Sequence, residues 1–398
     1  MAGRGLFRLP APTTRCHALT ASLFTIIALA AASSVDAAPS CETPVRFGLT
    51  DPLTGPFANF GKDQLQASEW AVEDINAKGG VDGCKLEIVV QDHQGKPETG
   101  IAVANRFTDV DHLPLFFGGF SAVIKAMAPI AERGKTVMFS VGANAPSIAK
   151  LGDYTYTTFP LADVDMRAFG SYVHDGMGKQ RAAVLYANNE TGVPGSRVFI
   201  ESFEKASGKV VLDEGYDPAQ SDFTGLILKV RALNPDVIHV HGVNSDIVTV
   251  MAQIRQLGIQ TQLTSYQGAF SDAFAKQLGA AGEGLTVTSL APTAEQNPNV
   301  AAFVERWRRE KGRPANGLPY TQYFYDVPYI IAGMVHYLHE KNLPITGDTM
   351  RQALLAVRTF DGPMTGPVTF NDDHTVNKPV YVWHVKDGHF QYVAKIGG

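Results

Sequence analysis

A pair of glycines followed closely by a serine, at residues 118–121, has the composition of an anion-binding turn. The letters Gly-Gly-Phe-Ser follow an apolar segment that predicts a strand and precede a stretch with helical periodicity. The first amide groups of a helix have no partners within the helix, so they can bind a carboxylate. Ser121 is predicted to cap this helix, which is the simpler role for a serine at such a place. The alternative is that its hydroxyl contacts a ligand.

Residues 142–144, with the letters Gly-Ala-Asn, follow the next predicted strand. Ligands of open parallel α/β sheets bind outside the carboxyl ends of the strands. Gly142, Ala143 and Asn144 should therefore bring backbone groups and one side-chain amide to the same edge as Ser121. The two segments together predict a site for a small carboxylate.

Three other motifs are weaker candidates for chemistry. His239 and His241 alternate along one predicted strand, but no third metal ligand is evident and we expect a structural role. Residues 55–62 resemble a phosphate-binding loop, except that Asp63 stands where serine or threonine is required. A hydrolase using Ser121 would need a nucleophile elbow and a base, and neither is found. We therefore expect no metal, no cofactor, no bound nucleotide and no catalytic residue.

The elements that position these residues alternate as strand and helix, which is typical of a parallel α/β sheet. One series of strands is predicted near residues 45–50, 86–92, 115–118 and 136–141, with helices near 64–78, 98–110 and 123–133. A second series is predicted within residues 181–189, 209–215, 235–242, 261–268 and 284–292. Helices near 299–311 and 320–341 and short strands near 365–370, 380–385 and 391–393 complete the chain. Two series of strands predict two doubly wound lobes.

The amino terminus has the features of a secretory signal peptide. Three arginines precede an apolar run at residues 18–32, which is too short to span a bilayer comfortably, and small residues at 35–37 suit a cleavage site. A cleaved leader of residues 1–37 is expected. A lipoprotein anchored at Cys41 is the alternative, although residues 38–40 make a poor lipobox.

The net charge argues against a nucleic-acid partner. The chain carries 34 basic and 39 acidic residues, a formal net charge of −5. Removal of the leader would change this to about −7, and the acidic residues are scattered rather than clustered. A nucleic-acid binder would present a basic face. No nucleic-acid binding is therefore expected.

Two cysteines remain once Cys16 leaves with the leader. Cys41 and Cys84 form an even pair, which in an exported protein predicts a disulfide. Each lies shortly before one of the first two strands, so both would lie at the same edge of a parallel sheet. Two free thiols are the alternative.

Residues 47–61 and 71–92 closely resemble the start of the leucine/isoleucine/valine-binding family, the periplasmic solute receptors of ABC importers. The first segment reads FGLTDPLTGPFANFG and the second reads AVEDINAKGGVDGCKLEIVVQD. Later segments match the family in the same order. The resemblance implies an α/β fold of the type I periplasmic binding proteins, with two doubly wound parallel-sheet lobes joined by three hinge crossings. It places one lobe at residues 42–161 plus 291–375 and the other at 162–290 plus 376–398.

The same resemblance implies ligand contacts in the first lobe. It assigns contacts with a ligand carboxylate to Ser121 and Asn144 and a backbone contact to Gly142, although relatives often have a hydroxyl residue where Asn144 stands. Phe60 matches a wall position of the family. Tyr320 is expected to be a second aromatic wall.

The second lobe departs from the family pattern at three positions. Thr191 stands where relatives commonly have tyrosine, and Asn244 stands where an aromatic residue often follows the strand. Gln267 stands where relatives have the acid that binds a ligand ammonium, and a neutral amide cannot supply that charge-assisted hydrogen bond. Asp246 or Glu190 could replace the lost charge.

The resemblance implies a periplasmic, monomeric receptor without enzymatic activity. It would bind an amino acid of the branched-chain type, or a related small carboxylate, and present it to an inner-membrane permease with separate ATPase subunits. Two alternatives remain open. The ligand could be an aromatic acid or an amide, or the protein could be a periplasmic ligand sensor.

Overall fold

Two main β-sheets organise the described part of the chain. The computed structural model describes residues 43–242 and 245–397, so the predicted leader, Cys41 and Asn244 lie outside the described residues. The first sheet consists of β1 (Val45–Asp51), β2 (Leu86–Asp92), β3 (Leu115–Gly118), β4 (Val137–Ser140) and β5 (Thr155–Thr157).

The strands of the first sheet are parallel and lie in the order β2-β1-β3-β4-β5. The order reverses between β1 and β3, which makes this a doubly wound sheet with a crevice at the reversal. The register pairs Gly48 with Phe116 and Gly118 with Ser140. The carboxyl ends of β1, β3 and β4 therefore meet at one edge, from which residues 118–121 and 142–144 emerge.

Three helices connect these strands: α1 (Ala58–Ala77), α2 (Pro97–Asn105) and α3 (Ser121–Gly134). The helix α1 begins six residues before the predicted start at residue 64. Gly61 suggests a turn in the sequence, but here it permits a close contact, because a Cβ at this position would lie 2.2 Å from the Pro52 carbonyl oxygen. The predicted boundary is wrong for that reason.

The second series of strands is found as predicted. It comprises β6 (Arg181–Ala187), β7 (Lys209–Tyr216), β8 (Val237–His241), β9 (Gln262–Thr264) and β10 (Thr286–Ser289). The associated helices are α4 (Ala162–Asp175), α5 (Gly192–Lys205), α6 (Thr224–Leu233), α7 (Ser245–Gln256) and α8 (Asp272–Leu278). Phe169 of α4 and Phe199 of α5 are both fully buried in one core with the strands.

Three later helices return to the first sheet. They are α9 (Pro298–Lys311), α10 (Leu318–Glu340) and α11 (Gly347–Val357), of which α11 lies outside the predicted helices. The Ser68 hydroxyl on α1 donates a hydrogen bond to the Phe324 carbonyl on α10 at 2.9 Å. Trp70 of α1 packs against Trp307 of α9 with ring centroids 4.8 Å apart. The apolar face of α1 is thus covered by residues from the last third of the chain.

The chain ends by rejoining the second sheet. A small ribbon of β11 (Thr359–Phe360) and β12 (Val368–Thr369) precedes the antiparallel strands β13 (Val380–Lys386) and β14 (His389–Ile396). The complete order is β14-β13-β10-β9-β8-β6-β7. The predicted lobe limits at residues 161, 290 and 375 stay a prediction. Among the described residues, no helix has the length and apolar character needed to cross a membrane.

Candidate ligand-binding site

Ser121 is the first residue of α3, and 7% of its surface is exposed. The predicted capping role is wrong. Phe120 occupies the cap position with a φ of 68°, and no side chain caps this helix. The Ser121 Oγ instead accepts a hydrogen bond from the Ala145 amide at 3.4 Å. A capping residue precedes the first helical turn, whereas Ser121 already lies within that turn.

The loop after β4 lies beside Ser121. Gly142 has a φ of 78°, which favours glycine, and a Cβ there would lie 3.0 Å from the Tyr320 ring. Ala143 and Asn144 are 2% and 4% exposed. The Asn144 carbonyl accepts a hydrogen bond from the Ala162 amide at 2.7 Å, which ties this loop to the start of α4.

Tyr320 and Phe60 form an aromatic wall next to this loop. Tyr320 stacks on Phe159 with ring centroids 5.3 Å apart, and Phe60 packs so closely on Gly317 that a Cβ there would lie 2.9 Å from its ring. Tyr320 is only partly buried as a residue, but burial of its hydroxyl raises the pKa. An interaction with the Gln267 amide partly offsets this rise in pKa, so Gln267 lies beside the Tyr320 hydroxyl.

Gln267 belongs to the part of the chain that forms the second sheet. It lies in a short turn (Gln267–Ala269) after β9. It is 1% exposed, and neither amide atom has a hydrogen-bond partner of normal geometry among the described residues. A buried polar group left without a partner costs about 1–3 kcal/mol. A ligand that bonds to this amide would remove that cost.

Thr191 stands at the cap position of α5 and is partly buried. Its backbone amide donates to Asn189 Oδ1 at 3.0 Å. Its predicted contact with the ligand stays a prediction. Asn244 lies outside the described residues, so its predicted contact stays a prediction.

The two acids considered as replacements for the lost charge already have partners. Glu190 forms an ion pair with Lys125 of α3 at 2.7 Å, which joins the two halves of the molecule. Asp246 is 5% exposed and accepts a hydrogen bond from the Tyr216 hydroxyl at 2.9 Å. Each acid thus has a partner within the protein, and its role toward a ligand ammonium stays a prediction.

Sequence reasoning missed a buried carboxyl at the end of β1. Asp51 is fully buried, and its Oδ1 lies 3.8 Å from His93 Nε2. Burial, with the Asp92 charge adding to it, raises the pKa of Asp51 well above its usual range, and burial lowers the pKa of His93 to about 4. The only signal in the sequence is the place of Asp51 at a strand end, where ligands of such sheets bind.

A sequence model of the family described as periplasmic binding protein matches residues 44–389. This chain belongs to the periplasmic binding protein family. The predicted resemblance to the leucine/isoleucine/valine-binding proteins is confirmed by relatives of nearly full length. The chain is 28% identical to Leu/Ile/Val-binding protein homolog 1 of Brucella suis, over 94% of this chain and 99% of that protein. It is 26% identical to the leucine-, isoleucine-, valine-, threonine-, and alanine-binding protein of Pseudomonas aeruginosa, over 91% and 95%.

Solved structures of this family confirm the predicted fold. A leucine binding protein from Thermotoga maritima matches with a TM-score of 0.79 and 23% identity, over 89% of this chain and 99% of that one. A binding protein from Streptococcus pneumoniae in complex with isoleucine matches with a TM-score of 0.78 and 20% identity, over 89% and 99%. One from Rhodopseudomonas palustris in complex with benzoate matches with a TM-score of 0.76 and 18% identity, over 88% and 96%.

The paired histidines of this periplasmic binding protein are structural. His239 and His241 are fully buried on β8, with 3.3 Å between His239 Nε2 and His241 Nδ1. The His239 ring stacks on Phe199 and the His241 ring stacks on Tyr266. Among the described residues, no group of three or more histidines, cysteines and acids could hold a metal.

Two surface grooves of this family member lie away from the predicted ligand residues. Their volumes are about 360 and 460 Å³. Lys378 lines one and Asp163 lines the other. Neither groove is lined by a predicted ligand residue. The site predicted around Ser121, Tyr320 and Gln267 therefore stays a prediction.

Proposed function

We propose that this family member is the ligand receptor of an ABC importer and closes two lobes on a branched-chain amino acid or a related small carboxylate. The observation that carries the proposal is that Ser121, residues 142–144 and Tyr320, which belong with the first sheet, converge with the orphaned amide of Gln267, which belongs with the second. Relatives named for leucine, isoleucine and valine binding support it.

The geometry suggests how a carboxylate would be held. The first amides of α3 are available to an anion, and the dipole of the helix favours negative charge at its start. Asn144 adds a side-chain amide as donor. Because these donors lie on one lobe and Gln267 on the other, a ligand touching both has higher affinity for the closed arrangement and shifts the population toward it. The Lys125–Glu190 ion pair is partly exposed and should add only about 0.2–1 kcal/mol.

We also propose where this receptor is located and with which membrane proteins it works. The leader at residues 1–37 is removed on export, and the mature receptor works in the periplasm as a monomer that catalyses no reaction. It delivers the ligand to an inner-membrane permease with separate ATPase subunits. Its lobes comprise residues 42–161 plus 291–375 and residues 162–290 plus 376–398, so that ligand enters between them.

An aromatic acid or an amide is the second candidate ligand. The neutral amide of Gln267 and the aromatic wall of Phe60 and Tyr320 favour it, and structural neighbours were solved with benzoate and with 4-hydroxybenzoate. A periplasmic sensor would bind the same molecules. Stimulation of the ATPase of a reconstituted permease by the loaded protein would distinguish transport from sensing.

A thermal-shift panel of amino acids, aromatic acids and amides tests the proposal. A ligand present at 1,000 times its dissociation constant stabilises the protein by about 4 kcal/mol, which raises the melting temperature measurably. At least one carboxylate of the panel should do so. A panel in which no small carboxylate shifts the melting temperature would contradict the proposed function.

Replacement of Ser121 by alanine should weaken ligand binding while leaving the fold intact. Loss of a hydroxyl that donates to a carboxylate in a dry site costs roughly 1.5–3 kcal/mol of binding free energy. Titration calorimetry with the best ligand of the panel measures the change. Ser68→Ala is the matched control, since it also removes a buried hydroxyl, and it should lower stability without changing affinity. Equal affinities of Ser121→Ala and the unsubstituted protein would remove Ser121 from the site.

A disulfide between Cys41 and Cys84 is a further part of the proposal. Cys84 is fully buried, two residues before β2, and β2 pairs with β1 in parallel from Val45 onward. Cys41 lies outside the described residues. Mass spectrometry of non-reduced peptides from periplasmic protein should show the two cysteines in one linked species. Recovery of both peptides with alkylated thiols would contradict the bridge.

A further inference from the structure

Asp165 is a fully buried carboxyl in the first turn of α4, immediately after the chain leaves the first sheet. Neither of its oxygens has a hydrogen-bond partner of normal geometry among the described residues. Burying a carboxyl without a partner is unfavourable, so its position calls for an explanation. An aspartate near a helix start ordinarily lies in water or caps the helix, and Asp165 does neither.

The groups around Asp165 come from three other elements. Thr288 on β10 interacts with the carboxyl and lowers its pKa, but burial dominates and raises the pKa to about 7. The charge of Asp165 adds to the effect of burial in raising the pKa of three tyrosine hydroxyls. They belong to Tyr320 and Tyr323 on α10 and to Tyr266, which precedes the Gln267 turn. No cation among the described residues contributes to the pKa of Asp165.

Two members of the candidate site, Asn144 and Tyr320, connect that site with Asp165. The Asn144 carbonyl is bonded to the Ala162 amide, and Ala162 opens the helical turn that carries Asp165. One helical turn rises about 5.4 Å, which is comparable with the length of a small ligand. The Gln267 amide and the charge of Asp165 both shift the pKa of the Tyr320 hydroxyl, in opposite directions.

We propose that Asp165 binds an ammonium group of the ligand and replaces the acid that is missing at Gln267, so that the site takes an amine-bearing carboxylate. The inference rests on the proposed function, because it assigns the second end of the same site. The ligand carboxylate contacts Ser121 and residues 142–144. Its ammonium gives Asp165 the charged partner that the protein itself does not supply, and Gln267 accepts a further hydrogen bond from the ligand.

Calorimetry with matched ligand pairs tests this assignment. The probes are L-leucine with 4-methylpentanoate and L-phenylalanine with 3-phenylpropanoate, each pair differing only in the amine. The unsubstituted protein should prefer the amine-bearing member. Asp165→Asn should weaken its binding roughly 10- to 100-fold, since a charge-assisted bond is lost, and should leave the amine-free member unchanged or tighter.

A measurement on the unsubstituted protein avoids any dependence on folding of the variant. At pH 6 Asp165 is largely protonated, so binding of an ammonium should release about one proton, measurable by titration in buffers of different ionisation enthalpy. Gln267→Glu serves as a second variant, since it adds an acid on the same wall and should not weaken binding of the amine-bearing member.

The outcomes separate this inference from the proposed function. If no member of either pair and no carboxylate of the panel binds, the proposed function fails and this inference fails with it. If carboxylates bind but Asp165→Asn leaves the preference within each pair unchanged, or no proton is released, only the role of Asp165 is overturned. Preference of the unsubstituted protein for the amine-free members would overturn it as well.

Discussion

Replacement of Asp326 by alanine is expected to lower the free energy of unfolding by about 3–5 kcal/mol, as is typical when one partner of a buried charged network is removed. Asp326 lies on α10 and is 1% exposed. Its carboxylate accepts hydrogen bonds from the Met364 amide at 2.8 Å and from the Thr365 amide and hydroxyl at 2.9 and 2.7 Å. Alanine would leave all three donors buried without an acceptor.

The buried ammonium of Lys378 increases the stability that is expected to be lost in Asp326→Ala. It is 3% exposed, and its Nζ donates to the carbonyls of Thr365, Gly366 and Pro367 at 3.1, 2.8 and 2.7 Å. Burial lowers the pKa of Lys378 to about 8, and the charge of Asp326 opposes that change. Without Asp326, the ammonium would remain in the interior with no nearby opposite charge.

Urea denaturation of a double-mutant cycle measures the effect. The control variant is Lys378→Met, which keeps an unbranched side chain but removes its charge. The double variant should lose less stability than the sum of the two single variants, by at least about 1 kcal/mol, because the charges are coupled. Additive losses would show that Asp326 and Lys378 act independently.

Replacement of Asp165 by asparagine should change the pH dependence of stability by up to about 4 kcal/mol, since each unit of pKa shift corresponds to about 1.4 kcal/mol. Burial raises the pKa of Asp165 from the usual 3.8 to about 7, so the folded state binds a proton that the unfolded state has released. The contribution of this group is therefore fully present below about pH 4 and is lost as the pH rises through 7.

The quantity to measure is the difference in the free energy of unfolding between Asp165→Asn and the unsubstituted protein. His93 acts in the opposite direction over part of the same range, because burial lowers its pKa to about 4 and its contribution is lost as the pH falls. Denaturation of the ligand-free proteins from pH 4 to pH 8 should show Asp165→Asn gaining relative to the unsubstituted protein as the pH rises. Asp165→Ser should show the same pH-dependent change at a different absolute stability. Parallel curves would mean that Asp165 titrates normally.

The strands could be predicted from the sequence because short apolar runs bounded by glycine and polar residues have few other interpretations. Once β3 and β4 were assigned as parallel neighbours, the meeting of Ser121 with residues 142–144 followed from the geometry of the sheet. The hydrogen bond between the Ala145 amide and Ser121 agrees with that expectation. Local pattern and sheet topology were sufficient for this part of the site.

The remaining features depend on contacts between distant segments. Whether Ser121 caps α3 or lies within it is decided by the backbone of Phe120, whose positive φ has no signature in the residue type. Asp165 resembles a solvated residue of a helix start, yet it is fully buried, and it interacts with Thr288 on β10 and influences the pKa of Tyr320 on α10. A pattern read along one helix contains no information about which elements will cover it.

The contact between α1 and α10 has a consequence for the order in which the protein can fold. Ser68 and the Phe324 carbonyl that it binds are separated by 256 positions. A chain that emerges from its amino end therefore presents the side chain of Trp70 to its surroundings until α9 and α10 have been made. The first sheet cannot complete its core before α10 has been synthesised, so an early segment of the chain remains incompletely packed and accessible until then.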